Sequence, residues 1–227
     1  MVEVVIGPAD HERVSAAIAA AERSSDGEIV TIVSASSDSY HDVALHWAVA
    51  MLIAILALAA AFPAWLIRCH EMIFGGGWGS EASLGALLFF LMLIAVAAFT
   101  AVLLTLRYVP LRLALTPSAT KSRRVRRRAI SLFRAATERR TVGRTGILIY
   151  LSLAEHRAEI VADQAIVSVT EPESWGEAMA ALVTEVKAGR PADGMIAAIG
   201  LVGTVLTEHF PRSTSDFNEI PDKLIEL

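Results

Sequence analysis

The apolar residues of this chain change rhythm five times, and each change marks a new kind of element. Val14, Ala17, Ile18 and Ala21 recur at helical spacing near the amino terminus. Asp10 and Glu12 sit at the end where a helix carries partial positive charge, so residues 8–24 are expected to be helical. Asp26-Gly27 breaks the stripe, and the β-branched run over 28–33 predicts a strand buried on both faces. Two continuous apolar runs follow. Residues 44–67 hold no charged side chain, and residues 84–108 hold only Arg107. Each exceeds the roughly 20 apolar residues that cross a bilayer, which predicts a transmembrane hairpin joined by a short external connector, 68–83. Pro63 is expected to kink the first span near its end.

Helical spacing returns after the hairpin with Val125, Ala129, Leu132 or Phe133, and Ala136, in a helix ending near Arg140. Gly143-Arg144-Thr145-Gly146 reads as a turn. Residues 147–153 form the most apolar strand, which places it at the sheet centre, and 158–162 a second strand after a polar turn. Ala178, Leu182 and Val186 mark one helix over 175–188 that Gly189 stops, with Trp175 as a core anchor at its start. Pro191 suits the first turn of another, whose stripe runs from Ile196 through Ile199, Val202, Gly203 and Leu206 to Phe210. The tail is expected to be irregular, because Pro221 bars regular structure. Helix–strand before the hairpin and helix–strand–strand–helix–helix after it make a mixed α/β layer arrangement. The expected organisation is one domain in two parts, 1–43 and 109–213. It is interrupted by spans 44–67 and 84–108 with connector 68–83, and followed by tail 214–227.

Composition sharpens the picture. Hydrophobic residues make up 54% of the chain and the mean hydropathy is +0.52, an excess concentrated in the two runs. The net charge of −4 conceals a basic cluster without a single acid: Arg112, Lys121, Arg123, Arg124, Arg126, Arg127, Arg128 and Arg134. Basic residues flanking a span stay in the cytoplasm, so both termini are expected there. The cluster lacks the aromatic, Asn and Gln residues of a nucleic-acid reader, which excludes nucleic acid as the expected partner. Membrane lipid is the expected partner, at about 1 kcal/mol per basic residue near an anionic surface. Alanine-rich stretches at 57–61 and 95–98 would let spans approach closely and self-associate. The lone Cys69 excludes an internal disulfide and any multi-cysteine metal site. The amino terminus reads as an acidic amphipathic helix, unlike a signal peptide.

Three stretches carry a family resemblance: Ala21-Glu22-Arg23 to Gly27-Glu28-Ile29-Val30, then residues 144–157 with Glu159-Ile160-Val161-Ala162-Asp163, and Asn218-Glu219-Ile220-Pro221-Asp222 in the tail. In these the chain resembles the TPM-domain family, in its membrane-embedded bacterial branch. The resemblance implies a small α/β/α sandwich, here split by the two-helix transmembrane hairpin, in a bacterial inner membrane. Relatives include a thylakoid-lumen protein linked to photosystem II repair with acid phosphatase activity, and some bind calcium. Where those relatives carry a Lys-Asp-Asn-Gly type turn, this chain has Gly143-Arg144-Thr145-Gly146, without acids to hold a hard cation.

The residues that could carry chemistry are few. Glu28 and Asp163 are the acids expected near sheet ends, and they are the metal candidates, with calcium the ion the resemblance implies. Arg144 and Thr145, in their Gly-flanked turn, suit an anion and with Asp163 form the catalytic candidates. Asp193 is expected to serve its own helix end. No phosphate-binding loop, nucleophile elbow or His-Glu-x-x-His motif occurs, and Gly75-Gly76-Gly77-Trp78-Gly79 is expected to turn the hairpin. No resident cofactor is called for. The expected role is a non-catalytic accessory or interaction module with an unidentified protein partner; the alternative is a weak phosphatase, with or without a metal.

Overall fold

The computed structural model describes residues 6–75, 82–136, 145–170, 172–213 and 222–227. Arg140, Gly143, Arg144, residues 76–79 of the glycine-rich turn and the tail stretch 218–221 lie outside them. The described residues form two compact units, one from residues 1–39 and 117–227 and one from residues 40–116.

The first unit contains α1 (Pro8–Glu22), β1 (Glu28–Ser34), α6 (Ser118–Ala136), β2 (Gly146–Ser152), β3 (Arg157–Ala162), α7 (Gln164–Val167), α8 (Pro172–Lys187), α9 (Pro191–His209) and β4 (Leu224–Glu226). Its sheet runs β3-β2-β1-β4, so β1 from one part of the chain and β2 from the other share the centre. They pair in parallel from Glu28↔Gly146 to Ser34↔Ser152, and every residue of both is buried. β3 returns antiparallel on the far side of β2.

Alternation along the strands feeds two cores. Ile29, Val33, Ile147, Ile149 and Leu151 face α1, α8 and α9 through Ile18, Leu182, Met195, Ile199 and Val202. Val30, Ile32, Leu148 and Tyr150 face α6 through Val125, Ala129 and Phe133. Each fully buried aliphatic side chain contributes about 1.5–3 kcal/mol, so the two parts of the chain are held by the central pair as one α/β/α sandwich. Trp175 packs half-buried against the larger core. Gly189 ends α8 at φ 77°, in the left-handed region that glycine enters freely, and Pro191 opens α9.

The tail corrects an expectation. Its last residues are not irregular: Leu224–Glu226 forms β4, parallel to β1 at Thr31–Val33. Pro221 precedes the strand and so removes no ladder donor from it. The outer edge of β1 would otherwise bury unpaired backbone groups. It is satisfied by Leu227 N donating to Val33 O at 2.9 Å and Ala35 N to Leu227 O at 3.1 Å.

The second unit contains α2 (His41–Ala61), α3 (Pro63–Phe74), α4 (Leu84–Thr105) and α5 (Val109–Ala114). Pro63 does more here than kink a span. The run 44–67 is not one helix, because Pro63 lacks the N–H a helix interior needs and forces Phe62 to φ −133°, ψ 66°. α3 runs on into the first residues of the connector 68–83 and ends at Phe74. The described helices long and apolar enough to cross a membrane are α2 and α4. Only 22% and 11% of their most apolar stretches are buried. Ala59, Leu66 and Phe90 form a small cluster among α2, α3 and α4, and His70 stacks its ring near Phe74 and Phe90.

Candidate functional site at the amino ends of the central strands

Parallel pairing puts the amino ends of β1 and β2 side by side, and antiparallel β3 delivers its carboxyl end to the same edge. Glu28, Thr145 and Asp163 therefore share one sheet edge. Backbone hydrogen bonds tie the three positions into this edge. Glu28 N donates to Thr145 O at 3.2 Å, and the Thr145 hydroxyl donates to Asp26 O at 2.8 Å. The Asp163 carboxylate accepts Gly146 N–H at 3.0 Å, while Asp163 N donates to Gly146 O at 2.9 Å. Asp163 thus closes the β3–β2 end and precedes α7. Glu28 on β1 and Asp163 at the end of β3 stand on either side of β2, two strand spacings of about 4.8 Å each. Among the described residues no group of three His, Cys, Asp or Glu is placed to hold a metal ion.

The same edge holds a second arrangement that the sequence did not single out. A cavity of about 220 Å³ is lined by Ala19, Glu22, Arg23, Ser25, Gly27, Glu28, Arg212 and Asp222. Three carboxyl groups from α1, β1 and the base of β4 thus meet beside two arginines. Glu22 Oε1 accepts Ile29 N–H at 2.7 Å. Glu22 Oε2 and Ser25 Oγ are buried without a hydrogen-bond partner, and Ser25 is only 1% exposed. Burial pushes the Glu22 carboxyl up to about 9. The Ile29 hydrogen bond offsets part of this, and the charges of Asp222 and Glu28 add to it. Burial therefore keeps Glu22 neutral at neutral pH beside Asp222 and Glu28. The signal was present in part: Glu22, Glu28 and Asp222 all fall within the stretches that carry the resemblance. Only the fold brings them together, because β4 returns the tail beside β1.

The opposite edge is a buried polar network. Ser37 Oγ lies 2.9 Å from Tyr150 Oη and donates to Ser152 Oγ at 2.8 Å. Glu155, 6% exposed, accepts Ser37 N–H at 3.0 Å and the Ser36 and Ser152 hydroxyls. The network fastens residues 36–37, just past β1, onto the sheet.

The basic cluster takes a definite form. Val125, Ala129 and Phe133 turn α6 onto the sheet, and Arg157 of β3 donates to Ser122 Oγ at 2.7 Å and Ser118 Oγ at 2.8 Å. Arg124 pairs with Asp38 at 2.9 Å. The outward face presents Arg123, Arg126, Arg127 and Arg134 with Ile130, Ser131 and Ala135 along a shallow groove of about 880 Å³. Asp193 pairs with Arg13 at 2.6 Å, tying α9 to α1.

No family model and no curated protein matches this chain. A structural likeness is found to the BA42 protein of the psychrophilic bacterium Bizionia argentinensis, determined by NMR. The TM-score is 0.57 at 16% identity, covering 100% of this chain and 99% of that one. At that identity the likeness concerns the fold.

Proposed function

We propose that this chain is a two-pass membrane protein of the TPM type. Its sandwich, built from both ends of the chain, acts in the cytoplasm as a non-catalytic accessory or interaction module at a bacterial inner membrane. One observation carries the reading. α2 and α4 keep Leu45, Val49, Ile53, Leu88, Phe89, Leu93 and Val96 outside any protein core. An apolar surface that long is at rest only in a bilayer. The basic stretch that follows α4 supports the cytoplasmic side by the positive-inside bias. The three resembling stretches and the shared sandwich fold support the TPM type. Carbonate extraction of membranes from expressing cells tests the reading: the chain stays in the pellet, and release into the supernatant would contradict it.

A second reading, phosphate-ester hydrolysis, is favoured by one feature. Glu22 holds a proton at neutral pH beside Arg23 and Arg212, a donor for a leaving oxygen next to two anion binders. Calcium enters this reading only through the resemblance, with Glu28 and Asp163 the residues proposed for it. Aryl-phosphate hydrolysis by the detergent-purified chain, with and without calcium, decides between the two. Turnover abolished by Glu22→Gln would make the protein an enzyme; absence of turnover in both conditions supports the module.

A further inference from the structure

We propose that the outward face of α6 is a docking surface for anionic phospholipid, holding the sandwich down on the bilayer that its own spans cross. This rests on the membrane reading above and names the ligand of one surface. Helix α6 carries no acid from Ser118 to Ala136. Packing on the sheet uses Val125, Ala129 and Phe133, which leaves Arg123, Arg127 and Arg134, spaced four and seven residues apart, on a common outward stripe with Ile130 between them. Among the described residues no carboxylate pairs with Arg123, Arg127 or Arg128. Among the described residues, Asp38 holds Arg124, and half-buried Glu159 on β3 lies near Arg126.

The chemistry of this face selects its ligand. Guanidinium groups in a row bind phosphate oxygens through paired N–H donors. Ile130 and Ala135 add an apolar strip between the charges, which suits glycerol and the first methylenes of a lipid and has no counterpart in a free phosphate. The bases of a nucleic acid would need stacking or edge-reading side chains, and the groove has none. The tether supplies proximity. Only residues 106–117 separate the end of α4 from the start of α6, which keeps the arginines within a few tens of ångströms of the headgroups at about 3.4 Å per extended residue. Lipid held so close needs little affinity per headgroup.

The full chain in lipid nanodiscs provides the test. A Ser131→Cys fluorophore, in a Cys69→Ser background, reports contact with lipids carrying a headgroup-level quencher. Discs of phosphatidylglycerol are compared with discs of phosphatidylcholine. The docking account predicts strong quenching in the anionic discs, little in the zwitterionic ones, and loss of the difference at 0.5 M salt. Replacing Arg123, Arg127 and Arg134 by Gln should weaken the docked state on the order of a hundredfold, about fivefold for each arginine. Inorganic phosphate at millimolar concentration should leave quenching unchanged. Equal quenching in both discs, or none in either while the chain remains disc-bound, overturns the proposal and leaves the membrane reading intact. Displacement by an oligoribonucleotide, or by phosphate alone, also overturns it. A chain that does not enter discs at all overturns both.

Discussion

Glu22→Gln is the substitution from which the candidate site can be judged most sharply. In the fold, burial and the neighbouring charges of Asp222 and Glu28 push the carboxyl up to about 9 from 4.5, its ordinary value. The unfolded chain ionises Glu22 above 4.5, whereas the folded chain keeps it neutral. The stability it contributes is therefore full below 4.5, falls as the pH rises, and is lost by about 9. At about 1.36 kcal/mol per pH unit, the interval from 4.5 to neutral corresponds to at most about 3 kcal/mol. Glu22 keeps some access to water, which reduces this to about 1–2 kcal/mol. Glutamine preserves the shape, can still accept Ile29 N–H, and stays neutral beside Asp222 and Glu28. The variant should gain about 1–2 kcal/mol at neutral pH and flatten the fall in stability between pH 5 and 9. Pulse proteolysis of the full chain across a urea series at pH 5, 7 and 9 measures both quantities. A variant that is less stable at pH 7 and keeps the wild-type pH slope would show that Glu22 is ionised in the fold, and would refute the reasoning.

Other predictions follow from packing and polar satisfaction. Thr31 is fully buried in β1 and its hydroxyl has no partner, so Thr31→Val should stabilise by about 1 kcal/mol in urea denaturation. A Cβ at Gly194 would lie 2.7 Å from the Leu182 carbonyl oxygen, whereas one at Gly200 of the same helix meets nothing within 4 Å. Gly194→Ala should therefore lower the urea midpoint, by about 1–3 kcal/mol of overpacking, while Gly200→Ala should raise it by up to about 1 kcal/mol. Glu155→Ala strips acceptors from Ser36, Ser37 and Ser152, costing about 1–3 kcal/mol. Hydrogen exchange over residues 36–39 should accelerate in that variant, and unchanged exchange would contradict the fastening role of the network.

The sequence showed the scaffold far better than the site. A 20-residue apolar run and a β-branched run have few alternatives, so the hairpin helices and the central strands could be read from local pattern. Pro63 announced a kink, but the helix that resumes after it depended on packing among Leu66, Cys69 and Phe90. The strand β4 could not be read, because three residues carry almost no periodicity and only the open edge of β1 gives them a partner. Glu28, Thr145 and Asp163 were rightly expected near strand ends, since strand order alone fixes that. The bonds of the Thr145 and Asp163 side chains to backbone groups depend on turn geometry that no spacing rule encodes. The Glu22–Asp222 pair joins a helix end to the tail and exists only once the sheet has formed.

The membrane reading stands or falls on where the two parts of the sandwich reside. Alkaline phosphatase, active only outside the cytoplasm, and green fluorescent protein, fluorescent only within it, can be fused after residue 227 and within residues 76–81. The account predicts fluorescence without phosphatase activity at the carboxyl terminus, and the reverse in the connector. Phosphatase activity at residue 227 with fluorescence from the connector would contradict it.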